Sequence, residues 1–147
     1  MNKDIAVNKK AYHDFEIIDT YEAGMVLQGT EIKSVRLGKV QLKESYVSFV
    51  HGEAFVKGMN ISQYDHGNRF NHEEMRERKL LLNRSEINKL QNKVKLQGLA
   101  VIPLKVYLKN GRAKMEIALA RGKTLHDKRE SDKVKTMEMM AKKAMRG

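Results

Sequence analysis

The sequence predicts a mainly β protein, a small antiparallel β-barrel of the oligonucleotide-binding type. About six strands, two or three short flanking helices and a basic C-terminal tail are expected. Three observations carry this. Short β-branched and aromatic runs alternate in hydrophobicity between turn residues. His51-Gly52 and Asn110-Gly111 stand between paired runs, where residues tolerant of positive φ make tight hairpin turns. Helical periodicity is confined to two short stretches among the strands, which favours an antiparallel sheet over strict βαβ alternation. A sheet of this size removes its exposed edges by closing on itself.

The elements follow in order. "HDFEIIDTY" (13–21) and "AGMVLQG" (23–29) read as two strands. "TEIKSVRLG" reads as a helix with Thr30 as N-cap, Glu31 in the first turn and Gly38 as the stop. "SYVSFVHGEAFVKGMNI" reads as a hairpin, and "SQYDHGNRFNHEEMRER" as one long loop. In "NRSEINKLQNKVKLQG", Asn83 and Glu86 have capping-box spacing, Ile87, Leu90 and Val94 form the buried stripe, and Gly98 ends the helix. In the last hairpin, Ile102, Leu104, Val106 and Leu108 alternate on one strand, and Ala113, Met115, Ile117 and Leu119 on the next. Pro103 lacks an N–H, which places it at an edge or a bulge.

The strand pattern ends at Ala120, so the expected division is a domain over 1–120 and a tail over 121–147. The tail holds nine Lys/Arg and four Asp/Glu, net +5, nearly half of the chain's +11. Val134, Met137, Ala141 and Ala144 form only a weak helical stripe. A short lone helix is marginal in water, so the tail is expected to be disordered when free and helical on a surface.

Composition narrows the function. A charge of +11 on 147 residues points to a polyanion, nucleic acid before an anionic membrane. Without cysteine there is no disulfide framework, zinc-thiolate site or thiol nucleophile, which fits a cytoplasmic location. No apolar stretch has the length of a membrane span. His13, His51, His66, His72 and His126 show no metal-ligand spacing and read as loop or surface groups, so no metal or other cofactor is expected. No nucleophile elbow or phosphate loop is present, and His126-Asp127 falls in the tail, where no packing is expected to hold a catalytic geometry. No catalytic residue is assigned. Lys33 and Arg36 share a helix face, open to phosphate contact or to plain solvation. The long loop mixes Asn, Arg, His and aromatic groups, which suits RNA; the alternative is a solvated loop leading Arg78 and Lys79 into a strand.

Five motifs taken together, "EAG…L.GTE.KS.R.G", "GNRFNH", "RKLLLN..EI", "YLKNGR.K" and "ALARGK..HDKR", resemble the SsrA-binding (small protein B) family over about residues 5–130. The resemblance implies a non-enzymatic adaptor without cofactor. It would bind the tRNA-like domain of transfer-messenger RNA and bring it to stalled ribosomes in trans-translation. Asn8, Glu22 and Leu81 match positions tied to RNA binding. Lys10, His13, Lys33, Arg36, Asn68, Arg69, Asn71, His72 and Lys79 complete the expected RNA-binding set. Arg121, Gly122, Lys123, His126, Asp127, Lys128 and Arg129 match a motif implied to lie near the small-subunit decoding centre, with His126 stacking on a ribosomal base and the tail entering the messenger channel. "ISQY" and "HEEM" depart from the family's commoner forms and are expected to loosen the loop around His72, and Val7 replaces a frequent acidic residue. The alternative is a generic oligonucleotide-binding module, such as a ribosomal or initiation-factor-like protein.

Overall fold

The computed structural model describes residues 3–65 and 71–123. Twelve elements follow one another there: β1 (Lys3–Val7), α1 (Lys9–Asp14), β2 (Phe15–Met25), α2 (Gly29–Arg36), β3 (Val40–Gln41), β4 (Tyr46–Val50), β5 (Glu53–Lys57), β6 (Asn60–Ile61), β7 (Arg78–Leu81), α3 (Arg84–Gln97), β8 (Ala100–Lys109) and β9 (Arg112–Gly122). Seven strands form one antiparallel sheet in the order β1-β8-β9-β2-β7-β5-β4, and β3 pairs with β6 apart from it. The ladder does not close into a barrel. β1 and β4 end it, while β4 packs against β8. Bulges in β1, β2 and β8 give the long strands the extra bend that curls them.

The two tight turns are as read, with positive φ at His51, Gly52, Asn110 and Gly111. The capping box of Asn83 and Glu86 and the left-handed Gly98 bound α3. Three expectations are corrected. Residues 13–29 form no pair of strands: α1 takes 9–14, and one eleven-residue strand runs through Glu22-Ala23-Gly24. The cap of α2 is Gln28, whose amide donates to Glu31 Oε1 at 2.7 Å, while Thr30 lies inside the helix. β9 continues through Arg121 and Gly122, which pair with Glu16 and Phe15, so the sheet ends two residues later than the pattern suggests. That extension carries no apolar signal because its ladder is made by backbone alone.

Ala113, Met115, Ile117 and Leu119 all face the main core, together with Val35 of α2 and Leu90 of α3. β8 behaves differently. The bulge between Pro103 and Lys105 slips the register by one residue, and one residue exchanges the faces of a strand. Val106 and Leu108 therefore join the main core, but Ile102 and Leu104 point to the other side. There they pack with Ala118, Ala120, Phe15, Ile17 and Ala11 of α1. α1 thus covers one end of the outer face of the sheet and leaves the other end open.

Candidate nucleic-acid interface

The open end is built by strand alternation. Glu22 and Gly24 of β2, Lys79 and Leu81 of β7, Lys105, Tyr107 and Lys109 of β8, and Lys114 and Glu116 of β9 share this outer face. Gly24 stands opposite both Leu81 and Lys114, and Tyr107 lies opposite Lys114. A Cβ at residue 24 would sit 3.4 Å from Leu81 Cβ and 3.6 Å from Lys114 Nζ. Leu81 is 54% exposed, far more than a core leucine. Glu22 and Glu116 face each other directly, a repulsive pair unless each is drawn elsewhere. Each is: Lys105 takes Glu116 at 3.7 Å, and Glu22 accepts from the Tyr107 hydroxyl and from Lys109 Nζ at 3.4 Å. The Tyr107 hydrogen bond, with Lys109 nearby, holds the Glu22 carboxyl below its ordinary pKa. Burial and the same carboxylate push the Tyr107 phenol well above its own.

A second construction lies beneath α2. Glu31 and Arg78 are fully buried and bonded, Arg78 Nε to Glu31 Oε2 at 2.6 Å. Arg76 Nη2 donates to Glu31 Oε1 at 2.5 Å, and Arg78 also donates to the carbonyls of Met59, Glu73 and Glu74. Burial pushes the Glu31 pKa up, but Arg76, the Gln28 amide and Arg78 outweigh it and leave the carboxyl below its ordinary value. Burial lowers the Arg78 pKa, with Glu31 opposing. This cluster pins the segment before β7 to α2. His72 belongs to it, 2% exposed, with Nδ1 at 2.9 Å from Thr30 Oγ1 and Nε2 at 2.8 Å from the Ile61 carbonyl.

The expected RNA-binding set divides accordingly. Glu22, Lys79 and Leu81 come together on the open face. Lys79 is tied there to Glu53 at 2.7 Å. Lys10 and His13 lie on α1, Lys10 bonded to Glu44 and His13 Nδ1 at 2.8 Å from Asp14. Asn8 is buried rather than presented: its Oδ1 caps the Ala11 amide and its Nδ2 donates to the Pro103 carbonyl at 2.9 Å. Lys33 and Arg36 lie on α2, with Lys33 Nζ 5.3 Å from the Tyr64 ring centre. His72 is corrected from a surface group to a buried one, since both ring nitrogens are engaged internally. Asn71 likewise bridges the Tyr64 backbone through both ends of its amide. Gln63, the departure in "ISQY", donates to the His72 carbonyl at 3.1 Å. Asn68 and Arg69 lie outside the described residues, as do His126, Asp127, Lys128 and Arg129 with the rest of the tail stripe. Arg121, Gly122 and Lys123 complete β9 and its exit, where the Lys123 amide donates to the Asp14 carbonyl.

Sequence reasoning misses Tyr107, Lys109, Lys114 and the buried Glu31–Arg78 pair. The outward set is legible as the polar half of the same alternation that gives the core. The buried pair is not, because a Glu and an Arg 47 positions apart carry no local signal.

A curled antiparallel sheet with helices on its flanks, bearing an open outer face of lysines around two held carboxylates, Glu22 and Glu116, and one exposed leucine, defines a nucleic-acid-binding module of the oligonucleotide-binding type. The chain belongs to the SmpB protein family, whose pattern matches residues 5–147. The SsrA-binding protein of a Nitratiruptor species is 56% identical over 146 residues, 98% of this chain and 97% of its own. That of Geobacillus kaustophilus is 54% identical over 144 residues, 98% and 93% respectively. A solved structure described as "tmRNA-SmpB: a journey to the center of the bacterial ribosome" matches with a TM-score of 0.69 at 43% identity, covering 85% of this chain and 92% of that one.

Proposed function

We propose that this protein is a cytoplasmic, non-enzymatic adaptor that binds the tRNA-like domain of transfer-messenger RNA and delivers it to stalled ribosomes in trans-translation. The observation that carries the reading is the union of two facts. More than half of the chain is identical to SsrA-binding proteins along nearly its whole length. The same chain sets Glu22, Lys79 and Leu81 together on one open, lysine-rich face. Such a face suits structured RNA. Lysines meet phosphates, and the carboxylate and leucine meet groups that vary with shape and base. Asn8, Asn71 and His72 contribute by positioning, through α1 and the segment before β7. Lys10, His13, Lys33, Arg36, Asn68 and Arg69 extend the contact beyond the sheet. The tail, with Arg121, Gly122, Lys123, His126, Asp127, Lys128 and Arg129, serves the ribosome: its cations meet rRNA near the small-subunit decoding centre and in the messenger channel. No residue is assigned a catalytic role.

A gel shift tests this. The protein is expected to bind a tRNA-like RNA fragment far more tightly than an unstructured RNA of equal length. Equal affinities would sink the adaptor reading in favour of a generic oligonucleotide-binding module. The RNA is expected to be recovered intact, and cleaved RNA would overturn the non-enzymatic part.

A further inference from the structure

We propose that Glu22 reads a single unpaired guanine of the bound RNA, whose base lies on the bare backbone of Gly24 against Leu81. This rests on the RNA-binding reading of the same face and adds what the face selects.

The argument begins with what an ionised carboxylate does. It accepts hydrogen bonds and donates none. On a surface that meets polyphosphate, such a group is repelled unless it faces donors. Glu22 is side-chain exposed by 40% and remains in reach of solvent and ligand. Its orientation is set from one side, by the Tyr107 hydroxyl and Lys109 Nζ. Of a carboxylate's about four acceptor positions, Tyr107 takes one on Oε2, while Lys109 reaches Oε1 and Oε2 only at 3.4 and 3.5 Å, long contacts that an incoming pair of donors can displace. Among the bases, two neighbouring donors on one edge occur in guanine, whose N1–H and N2–H2 lie side by side. Adenine and cytosine each place an acceptor next to the donor, and uracil sets one donor between two acceptors. A carboxylate facing those edges meets repulsion. A ribose 2′-hydroxyl offers one donor only.

The floor beside the carboxylate suits a flat ring. Residues 22 and 24 point to the same side of β2, about 7 Å apart along the strand. That is close to the breadth of a purine. At residue 24 there is no side chain, and the exposed Leu81 rises on its far side. A base lying flat on Gly24 can direct its Watson–Crick edge at Glu22 and its body toward the Leu81 methyls. In the free protein Lys114 Nζ covers this spot, 3.6 Å from where a Cβ would stand; the end of this long side chain must swing aside for the base, which leaves it placed to meet the phosphate of the splayed nucleotide. An unpaired guanine is required, because a paired one has this edge occupied.

The test uses the full chain and the tRNA-like fragment of transfer-messenger RNA. Each unpaired guanosine is replaced in turn by inosine, which lacks the N2 amino group, and by 2′-deoxyguanosine. One inosine position is expected to weaken binding by about tenfold, the loss of one hydrogen bond to a charged group. Glu22→Gln should weaken binding to the native fragment by a similar factor, yet add little on the sensitive inosine fragment. Gly24→Ala should also weaken binding with an unchanged melting temperature, since a Cβ there stands 3.4–3.6 Å from Leu81 and Lys114, an ordinary contact distance. If every inosine fragment binds like the native one, or if Glu22→Gln costs the same on all of them, the guanine reading is overturned. Sensitivity to 2′-deoxy but not to inosine substitution would assign Glu22 to a ribose hydroxyl instead and overturn it equally. Failure to bind the native fragment at all would remove the RNA-binding reading itself, a separate and recognisable outcome.

Discussion

Replacing Glu31 by Gln removes one charge from a fully buried pair and keeps its shape. In the folded protein Arg78 is 0% exposed and bonded through Nε to Glu31 at 2.6 Å. Glu31 also accepts from Arg76 at 2.5 Å and from the Gln28 amide at 2.7 Å. Removing one partner of a buried ion pair costs about 3–5 kcal/mol, because the other charge stays buried without compensation. The substituted side chain would keep one acceptor oxygen, but its amide group would face a guanidinium, so the lower end, about 3 kcal/mol, is expected. Domains of this kind have about 5–15 kcal/mol in total. Urea unfolding followed by circular dichroism reads the change; at a slope of about 2 kcal/mol/M the midpoint falls by about 1.5 M with the slope unchanged. Joint replacement, Glu31→Leu with Arg78→Met, should recover part of the summed loss of the two single replacements, since apolar residues of like volume replace buried pairs at little cost. Recovery is incomplete because the Gln28 amide and Arg76 lose their acceptor and the Met59, Glu73 and Glu74 carbonyls lose their donor, each at about 1 kcal/mol. A loss below about 1 kcal/mol for Glu31→Gln, or a double variant as unstable as the sum of its parts, would refute the electrostatic account of this cluster.

Three further outcomes are expected. The folded pKa of Glu31 lies below its ordinary value, so its contribution is full above the unfolded pKa of about 4.3 and is lost as pH falls through the folded one. The stability gap between wild type and Glu31→Gln should therefore narrow below about pH 4 in acid titrations, and a gap that widens there would contradict the assignment. Gly58 has φ of +79° and a Cβ there would lie 2.9 Å from the Glu44 carbonyl. Gly58→Ala should thus destabilise by about 1–3 kcal/mol, and an unchanged melting curve would show that this turn yields freely. Ending the chain after Lys123 keeps all of β9, so the tRNA-like fragment should still bind with a salt slope close to wild type while peptide tagging on ribosomes is lost. Loss of fragment binding together with tagging would mean that the tail helps to form the RNA site.

Much of the fold is legible because its signals are local. Asn110-Gly111 dictates a primed turn whatever surrounds it, and Asn83 with Glu86 caps a helix through bonds three residues long. The alternation of Ala113, Met115, Ile117 and Leu119 names a core face that the structure keeps. Where these signals stop, sequence misleads. α1 goes unread, and its last two residues, His13 and Asp14, are taken into the strand that follows, because its six residues are too short for a helical stripe and its cap, Asn8, is held by the distant Pro103 carbonyl as well as by the Ala11 amide. Part of the candidate site is legible in the same way. Glu22, Lys79 and Leu81 follow from motifs, and the register of β2 and β7 brings them together.

Sequence by itself determined the class of fold, the turns, the basic charge and the family, all of which depend on residue type and near neighbours. Only the tertiary structure decided which candidates face solvent. It turned His72 and Asn8 inward, buried Arg78 against Glu31, and set Gly24 between Glu22 and Leu81. It also split β8 at Pro103, so that Ile102 and Leu104 serve α1 while Val106 serves the main core. The physical reason is shared: a bulge, a register and a buried ion pair are agreements between segments far apart in the chain, and no single segment carries them.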